Sequence, residues 1–316
     1  MSDLVTLAEI EAAARRLLGV AVRTPLIRYP GEPLWIKPES LQPIGAFKIR
    51  GAYAAMTSDV LGGARPSGVV AHSSGNHAQA VAYAARELGV RAVLVIPHDA
   101  PDVKVRECVR LGAEVVLVDP TMEARTETAE RLARAHGYDL IAPFDDRRVI
   151  AGQGTVGLEI MTDAPEAGVV LVPVGGGGLL AGTAVAVKSL GRGTRVVGVE
   201  PALAADARDS FLLGRPVAWD VKDTRRTVAD ALRVDRVGNI PFQHIAEYVD
   251  DIVTVTEEEI RETMRLLAVR TRLVAEPAGA VAAAAFLFHR EELPPGDAVA
   301  VLSGGNVDPD LFFSPS

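Results

Sequence analysis

Val169-Val170-Leu171-Val172-Pro173-Val174-Gly175-Gly176-Gly177-Gly178-Leu179-Leu180-Ala181-Gly182 sets the fold of this chain. An apolar run of strand length meets four glycines, and helix-forming residues follow to Leu190. Gly168 to Val187 carries no charge and is long enough for a membrane, but Pro173 and the glycines cut it into a strand and a helix. A transmembrane helix is rejected there. A strand that turns directly into a helix is a unit of layered α/β folds. Four residues without Cβ let successive N–H groups converge, and the helix N-terminus adds about half a positive charge. That loop suits a phosphate, where one or two glycines would serve for a plain turn. A P-loop is excluded because no Lys-Ser or Lys-Thr follows Gly182. The relaxed dinucleotide pattern does match at Gly176-x-Gly178-x-x-Ala181, with Glu200 about 20 residues on where a ribose-binding acid would sit.

Working outward, the same alternation recurs on both sides. Upstream, strand VVAHS, helix Asn76 to Leu88, strand AVLVI, helix Asp102 to Leu111, strand EVVLV and helix Met122 to His136 follow one another, with Gly89, Gly112 and Gly137 closing the helices. The strands are continuous apolar runs, as parallel strands covered on both faces should be. Before them lie a helical stretch from Leu4 to Leu18, a short strand Leu34 to Lys37 and a helix at Gly51 to Met56. After Pro143 come a helix around Val156 to Met161, the glycine-turn unit, strand RVVGVE, a less regular region from Ala202 to Asp250, strand DIVTV, helices Glu257 to Arg272 and Ala278 to Arg290, and strand AVAVLS. The expectation is an α/β protein of two open lobes, the first helix and strand returning to the second lobe.

Composition agrees with a folded enzyme-sized protein. The 316 residues are 48% hydrophobic and 23% charged, close to globular averages, which excludes disordered, collagen-like and disulfide-scaffold classes. A net charge of −8 disfavours nucleic acid as a partner. The single Cys108 cannot form an internal disulfide, and the acidic N-terminus lacks the features of a signal peptide, so the cytoplasm is the expected compartment.

Three further stretches could carry chemistry. The only lysines are Lys37, Lys48, Lys104, Lys188 and Lys222, against 28 arginines. A lysine, unlike an arginine, can lose its proton and attack a carbonyl. Lys48 lies among small and apolar neighbours, Ile44 to Ala52, that could desolvate its amine, although a surface lysine at a helix start is the plain alternative. Ser73-Ser74-Gly75-Asn76-His77 opens a helix and offers hydroxyls and N–H groups to a carboxylate; a simple N-cap is the bland alternative. Ser303-Gly304-Gly305-Asn306 ends a strand at the edge where open α/β sheets place ligands. The six histidines show no HExxH or other ligand spacing, and no Gly-x-Ser-x-Gly elbow occurs.

These stretches together resemble the fold-type II pyridoxal-phosphate enzymes, of the tryptophan synthase β-like kind, and specifically the serine/threonine dehydratase and serine racemase group. Gly45 to Ala52, His72 to Gln79, Pro173 to Leu179 and Leu302 to Asn306 carry the likeness in the right order, with Ile150 to Thr155 and Glu276 to Gly279 in support. The resemblance implies that residues 1–58 and 147–316 form a large cofactor-binding domain and 59–146 a small substrate-side domain, with the cofactor between. It implies that Lys48 holds pyridoxal 5'-phosphate covalently, Phe47 packs on the ring, Asn76 bonds the ring hydroxyl, Gly175, Gly176, Gly177 and Gly178 cradle the phosphate, and Ser303 faces the pyridine nitrogen. Ser73, Ser74, Asn76 and His77, helped by Arg125, would hold the substrate carboxylate. The implied reaction removes water from L-threonine or L-serine to give a 2-oxo acid and ammonia.

The same likeness implies a homodimer and marks Ser74 as the opposite-face acid/base of serine racemases; biosynthetic threonine dehydratases usually carry alanine there and a C-terminal regulatory domain, for which no room is expected after Ser316. Glu200, the backbone of Ala204, and Asp206 match the divalent-cation site of the racemase-like branch, for Mg2+ or Ca2+. Ala46, Ala231 and Val234 depart from the group's usual residues, which bears on substrate identity. Serine racemization and 3-hydroxyaspartate dehydration are the alternatives within the group, and a nicotinamide-dependent dehydrogenase is the alternative outside it.

Overall fold

The computed structural model describes residues 4–58, 66–73, 75–100, 102–191 and 193–307. Helix α1 (Leu7–Arg16) starts from a capping box in which the Thr6 hydroxyl accepts from Glu9 N–H and the Glu9 carboxylate accepts from Thr6 N–H. Strands β1 (Ile27–Arg28) and β2 (Leu34–Pro38) lead into α2 (Lys48–Met56). Then come β3 (Gly68–His72), α3 (Asn76–Leu88), β4 (Arg91–Pro97), α4 (Asp102–Arg110), β5 (Glu114–Val118), α5 (Met122–His136) and β6 (Asp139–Leu140). The second series is α6 (Arg147–Asp163), β7 (Val169–Pro173), α7 (Gly178–Leu190), β8 (Arg195–Pro201), α8 (Asp206–Leu213), α9 (Val221–Thr224), α10 (Asn239–Tyr248), β9 (Asp251–Val255), α11 (Glu257–Thr271), α12 (Pro277–His289) and β10 (Ala298–Leu302).

Two sheets result. One runs β5-β4-β3-β6 and is parallel throughout; the other runs β1-β2-β10-β7-β8-β9 and is parallel except for β1. The N-terminal β2 thus lies against the last strand, β10. The inner strands β7 and β10 are wholly buried, as their continuous apolar sequences require.

Three boundaries differ from the sequence expectation. Helix α6 spans Arg147–Asp163, far beyond Val156 to Met161, because Gly152, Gly154 and Gly157 look like helix breakers and act as contact points. A Cβ on Gly152 would meet the Arg50 carbonyl at 2.4 Å, and one on Gly182 of α7 would meet the Ile150 carbonyl at 2.3 Å. The region 202–250 holds three helices, α8, α9 and α10. Helix α2 begins at Lys48 itself, one turn earlier than expected.

Below α2 lies a buried ion network. Arg50 donates to both Glu39 oxygens at 2.7 and 2.9 Å and to Glu159 at 2.7 and 2.9 Å, while Lys37 reaches Glu159 at 2.6 Å. Two cations and two carboxylates balance, and Thr24 and Gln42 complete the bonds to Glu39.

Candidate active site

Lys48 is the first residue of α2, and no side chain caps that helix start. The segment before it is fixed to the end of β10: Phe47 N–H donates to the Ser303 carbonyl at 3.0 Å, Gly305 N–H donates to the Gly45 carbonyl at 2.9 Å, and Ala46 bridges Gly304. The Lys48 amine donates to the Pro143 carbonyl at 2.7 Å and lies 5.1 Å from the Phe47 ring centre. Burial lowers its pKa to about 8, so a sizeable fraction is neutral near physiological pH. The surface-lysine alternative therefore fails.

The α3 start stands beside it. Its N-cap is Gly75, with no side-chain cap bond, so Asn76 is not spent on capping. Instead its Nδ2 donates to Glu276 at 2.8 Å and its Oδ1 accepts from Asn306 at 2.8 Å. Ser73 Oγ accepts from Gly75 N–H at 3.3 Å. Ser74 lies outside the described residues. His77 is buried, and desolvation, reinforced by the Lys48 charge, lowers its pKa to about 3. The ring is neutral at pH 7 and donates Nε2–H to the Ile141 carbonyl at 2.9 Å, so only its backbone remains for an anion. Arg125 is half-buried on α5, where burial and the charge of Arg225 lower its pKa; its own charge in turn depresses His72, next to Ser73.

The glycine loop closes the other side. A Cβ on Gly176 would enter the Phe144 ring at 2.1 Å, one on Gly177 would meet Pro241 at 2.9 Å, and one on Gly175 would approach Leu232 at 3.2 Å. Gly177, at φ +87°, caps α7 in the left-handed region. Among the described residues no backbone acceptor takes the N–H groups of Gly175, Gly176, Gly177 or Gly178. Ser303 is buried, and its hydroxyl has only a long 3.4 Å bond to the Ala278 carbonyl.

Residues 17–304 match the model of the family described as "Pyridoxal-phosphate dependent enzyme". The chain belongs to this family. It is 40% identical over 98% of its length to an L-threonine ammonia-lyase of Thermotoga maritima, covering 77% of that protein. It is 36% identical to a serine racemase of Schizosaccharomyces pombe, covering 99% of this chain and 98% of the other. Among solved structures, a serine racemase from Dictyostelium discoideum superposes with a TM-score of 0.88 at 38% identity, covering 96% and 99% of the two chains. A bacterial-type threonine deaminase whose source is abbreviated T.th. superposes with a TM-score of 0.90 at 45% identity, covering 98% and 100%.

The site of this pyridoxal-phosphate-dependent enzyme fits its cofactor on its own geometry. Unpaired N–H groups with no room for a Cβ suit a phosphate, a partly neutral lysine suits an aldehyde, and an under-used buried hydroxyl suits a ring nitrogen. The nicotinamide alternative gains nothing: its glycine pattern falls on the same loop, and the Glu200 carboxylate already accepts from Ala207 N–H at 3.1 Å and Arg208 N–H at 2.7 Å.

Glu200, Ala204 and Asp206 come together at the end of β8 and the start of α8. Among the described residues no group of three His, Cys, Asp or Glu side chains could hold a metal. Asp206 is nevertheless fully buried with both carboxylate oxygens lacking a hydrogen-bond partner. Burial holds its pKa up at about 7, and burial together with Asp206 holds Glu200 well above the usual carboxylate range.

Sequence reading missed Phe144, Pro143, and the roles of Glu276 and Asn306. Phe144 and Pro143 sit in an unstructured connection with no motif. Glu276 precedes a proline-started helix, which signals an N-cap, yet its side chain makes no cap bond and reaches Asn76 instead.

Proposed function

We propose that this enzyme eliminates water from L-threonine or L-serine, releasing a 2-oxo acid and ammonia. The observation that carries the reading is the partly neutral Lys48 amine held at the junction of three polar strand ends, in a chain similar to a named L-threonine ammonia-lyase. When bound, pyridoxal phosphate withdraws electrons from the substrate and acidifies its Cα–H bond. The four glycine N–H groups hold the phosphate, Phe47 lies on the ring, Asn76 donates to the ring oxygen, and Ser303 meets the ring nitrogen. A hydroxyl at that nitrogen supports less positive charge than a carboxylate would, which favours prompt loss of a β-leaving group.

Lys48 takes the Cα proton as the base and returns it as the acid. The N–H groups of Ser73 to His77 and the Arg125 guanidinium hold the substrate carboxylate, which fixes the Cα–H bond toward Lys48. One water leaves with the β-hydroxyl and one is taken up in releasing ammonia, so no oxidant or reductant is required.

The reading includes the division into 1–58 with 147–316 and 59–146, a homodimer, and a cytoplasmic setting suited to the unpaired buried Cys108 thiol. It also assigns a divalent cation to Glu200, Asp206 and the Ala204 carbonyl, supported by the unsatisfied Asp206 oxygens. Racemization is the second reading, favoured by the serine racemase likeness, with Ser74 as the acid on the opposite face.

The test is the absorption spectrum with L-threonine or L-serine added, followed by assays for 2-oxo acid and D-serine. The expected result is a band near about 410 nm that shifts with substrate and disappears in Lys48→Ala along with turnover. Normal turnover by Lys48→Ala overturns the mechanism, and D-serine forming faster than pyruvate exchanges the two readings.

A further inference from the structure

The chain has three asparagines, Asn76, Asn239 and Asn306, and two of them meet side chain to side chain. Asn306 Nδ2 donates at 2.8 Å to the Ile44 carbonyl and at 2.8 Å to Asn76 Oδ1, and Asn76 Nδ2 donates at 2.8 Å to Glu276 Oε1. Amide ends look alike in shape, and the bonds they make decide which is nitrogen. Here both ends of the relay are pure acceptors, a backbone carbonyl and a carboxylate. The Ile44 carbonyl forces Asn306 to present nitrogen; its second N–H then faces Asn76, which must present oxygen there and nitrogen to Glu276.

Two glycines leave room for this arrangement. A Cβ on Gly45, at φ +70°, would lie 2.3 Å from Asn306 Oδ1, and one on Gly304 would lie 2.5 Å from Glu276 Oε1. The relay also joins parts distant in sequence: the start of α3, the residue before α12, the loop after β10 and the turn before α2.

We infer that Glu276 and Asn306 are positioning residues that lock the Asn76 amide so that an N–H, never the oxygen, faces the cofactor ring. The inference rests on the proposed cofactor site and extends it to two residues that need not touch the cofactor. With Oδ1 held by Asn306 and one Nδ2 hydrogen held by Glu276, what Asn76 has left to offer is its second Nδ2 hydrogen, the donor that an anionic ring oxygen requires. An amide turned the other way would set oxygen against oxygen.

Asn306→Asp makes the sharpest test because a carboxylate cannot donate. Asn76 is then expected to turn its Nδ2 to residue 306 and its Oδ1 to the ring. In holoenzyme labelled with 15N-asparagine only three side-chain amides report, and those of Asn76 and Asn306 are expected to exchange slowly. In Asn306→Asp and in Glu276→Ala the Asn76 amide should exchange at least about tenfold faster, pyridoxal phosphate should bind about tenfold more weakly, and the band near about 410 nm should move. Glu276→Gln, which keeps an oxygen acceptor, should recover most of the affinity.

A merely structural role would lower the melting temperature while leaving exchange, affinity and band position unchanged, and that result overturns the inference. If Asn306→Asp does not fold, Glu276→Ala against Glu276→Gln decides on the same readouts. A parent chain that binds no pyridoxal phosphate sinks the cofactor reading instead; the relay is still read by slow Asn76 exchange in the same sample.

Discussion

Lys48 concentrates the chemistry because its surroundings remove water without supplying a counter-charge. Its partner is a neutral carbonyl, so burial alone governs its pKa of about 8. Between about pH 8 and the ordinary lysine value of 10.5 the unfolded chain binds more protons than the folded one, so stability rises with pH across that window. Below about pH 8 the cost of the buried ammonium is fully present, at most about 3 kcal/mol. Cofactor-free Lys48→Met is therefore expected to melt above the parent at pH 7, with the gap closing near pH 10.5. A variant that melts at or below the parent at pH 7 would contradict a desolvated amine. Capture of pyridoxal phosphate needs the neutral amine, and its rate should rise with pH and level off above about 8.

At the scale of elements, α2, α6 and α7 approach so closely that backbone meets backbone. Gly152, Gly154 and Gly182 face carbonyls or amides that cannot swing aside. Gly182→Ala should cost about 1 to 3 kcal/mol in a denaturant titration, with loss of Lys48 reactivity as the α2 seat shifts. Arg50→Ala leaves Glu39 fully buried and unpaired from its guanidinium, and about 3 to 5 kcal/mol of destabilisation is expected by the same measurement.

These contacts also explain what sequence could and could not reveal. Strands β7, β8 and β10 and helices α3, α5 and α7 were legible because apolar runs and closing glycines are local signals. Most of α6 was hidden because glycine is a poor helix former by propensity, and only the neighbouring helices show why it is needed. The four polar stretches of the site were legible as stretches. The Asn76, Asn306 and Glu276 relay was not, because its members lie 200 and 230 residues apart and each mimics a cap or a turn.

For the molecule as a whole, the sites at the strand ends tie ligands to global stability. Glu200 sits on β8 within the six-stranded sheet, and Asp206 starts α8 behind it. An ion that satisfied the two orphaned Asp206 oxygens would bind the folded chain and not the unfolded one, stabilising it by about 2.7 kcal/mol at a hundredfold excess over its dissociation constant. The melting temperature should accordingly rise with added Mg2+ or Ca2+ and fall again with a chelator. Asp206→Asn replaces one oxygen by an amide that can donate and lowers the local negative charge, so it should melt at a temperature indifferent to either ion. The glycine loop is far enough in sequence, on the turn between β7 and α7, for the cofactor's own stabilisation to persist in that variant. Equal ion-dependent shifts in Asp206→Asn and the parent would place any bound cation elsewhere and leave the unsatisfied carboxylate to be explained by its raised pKa, as a neutral acid in a dry interior.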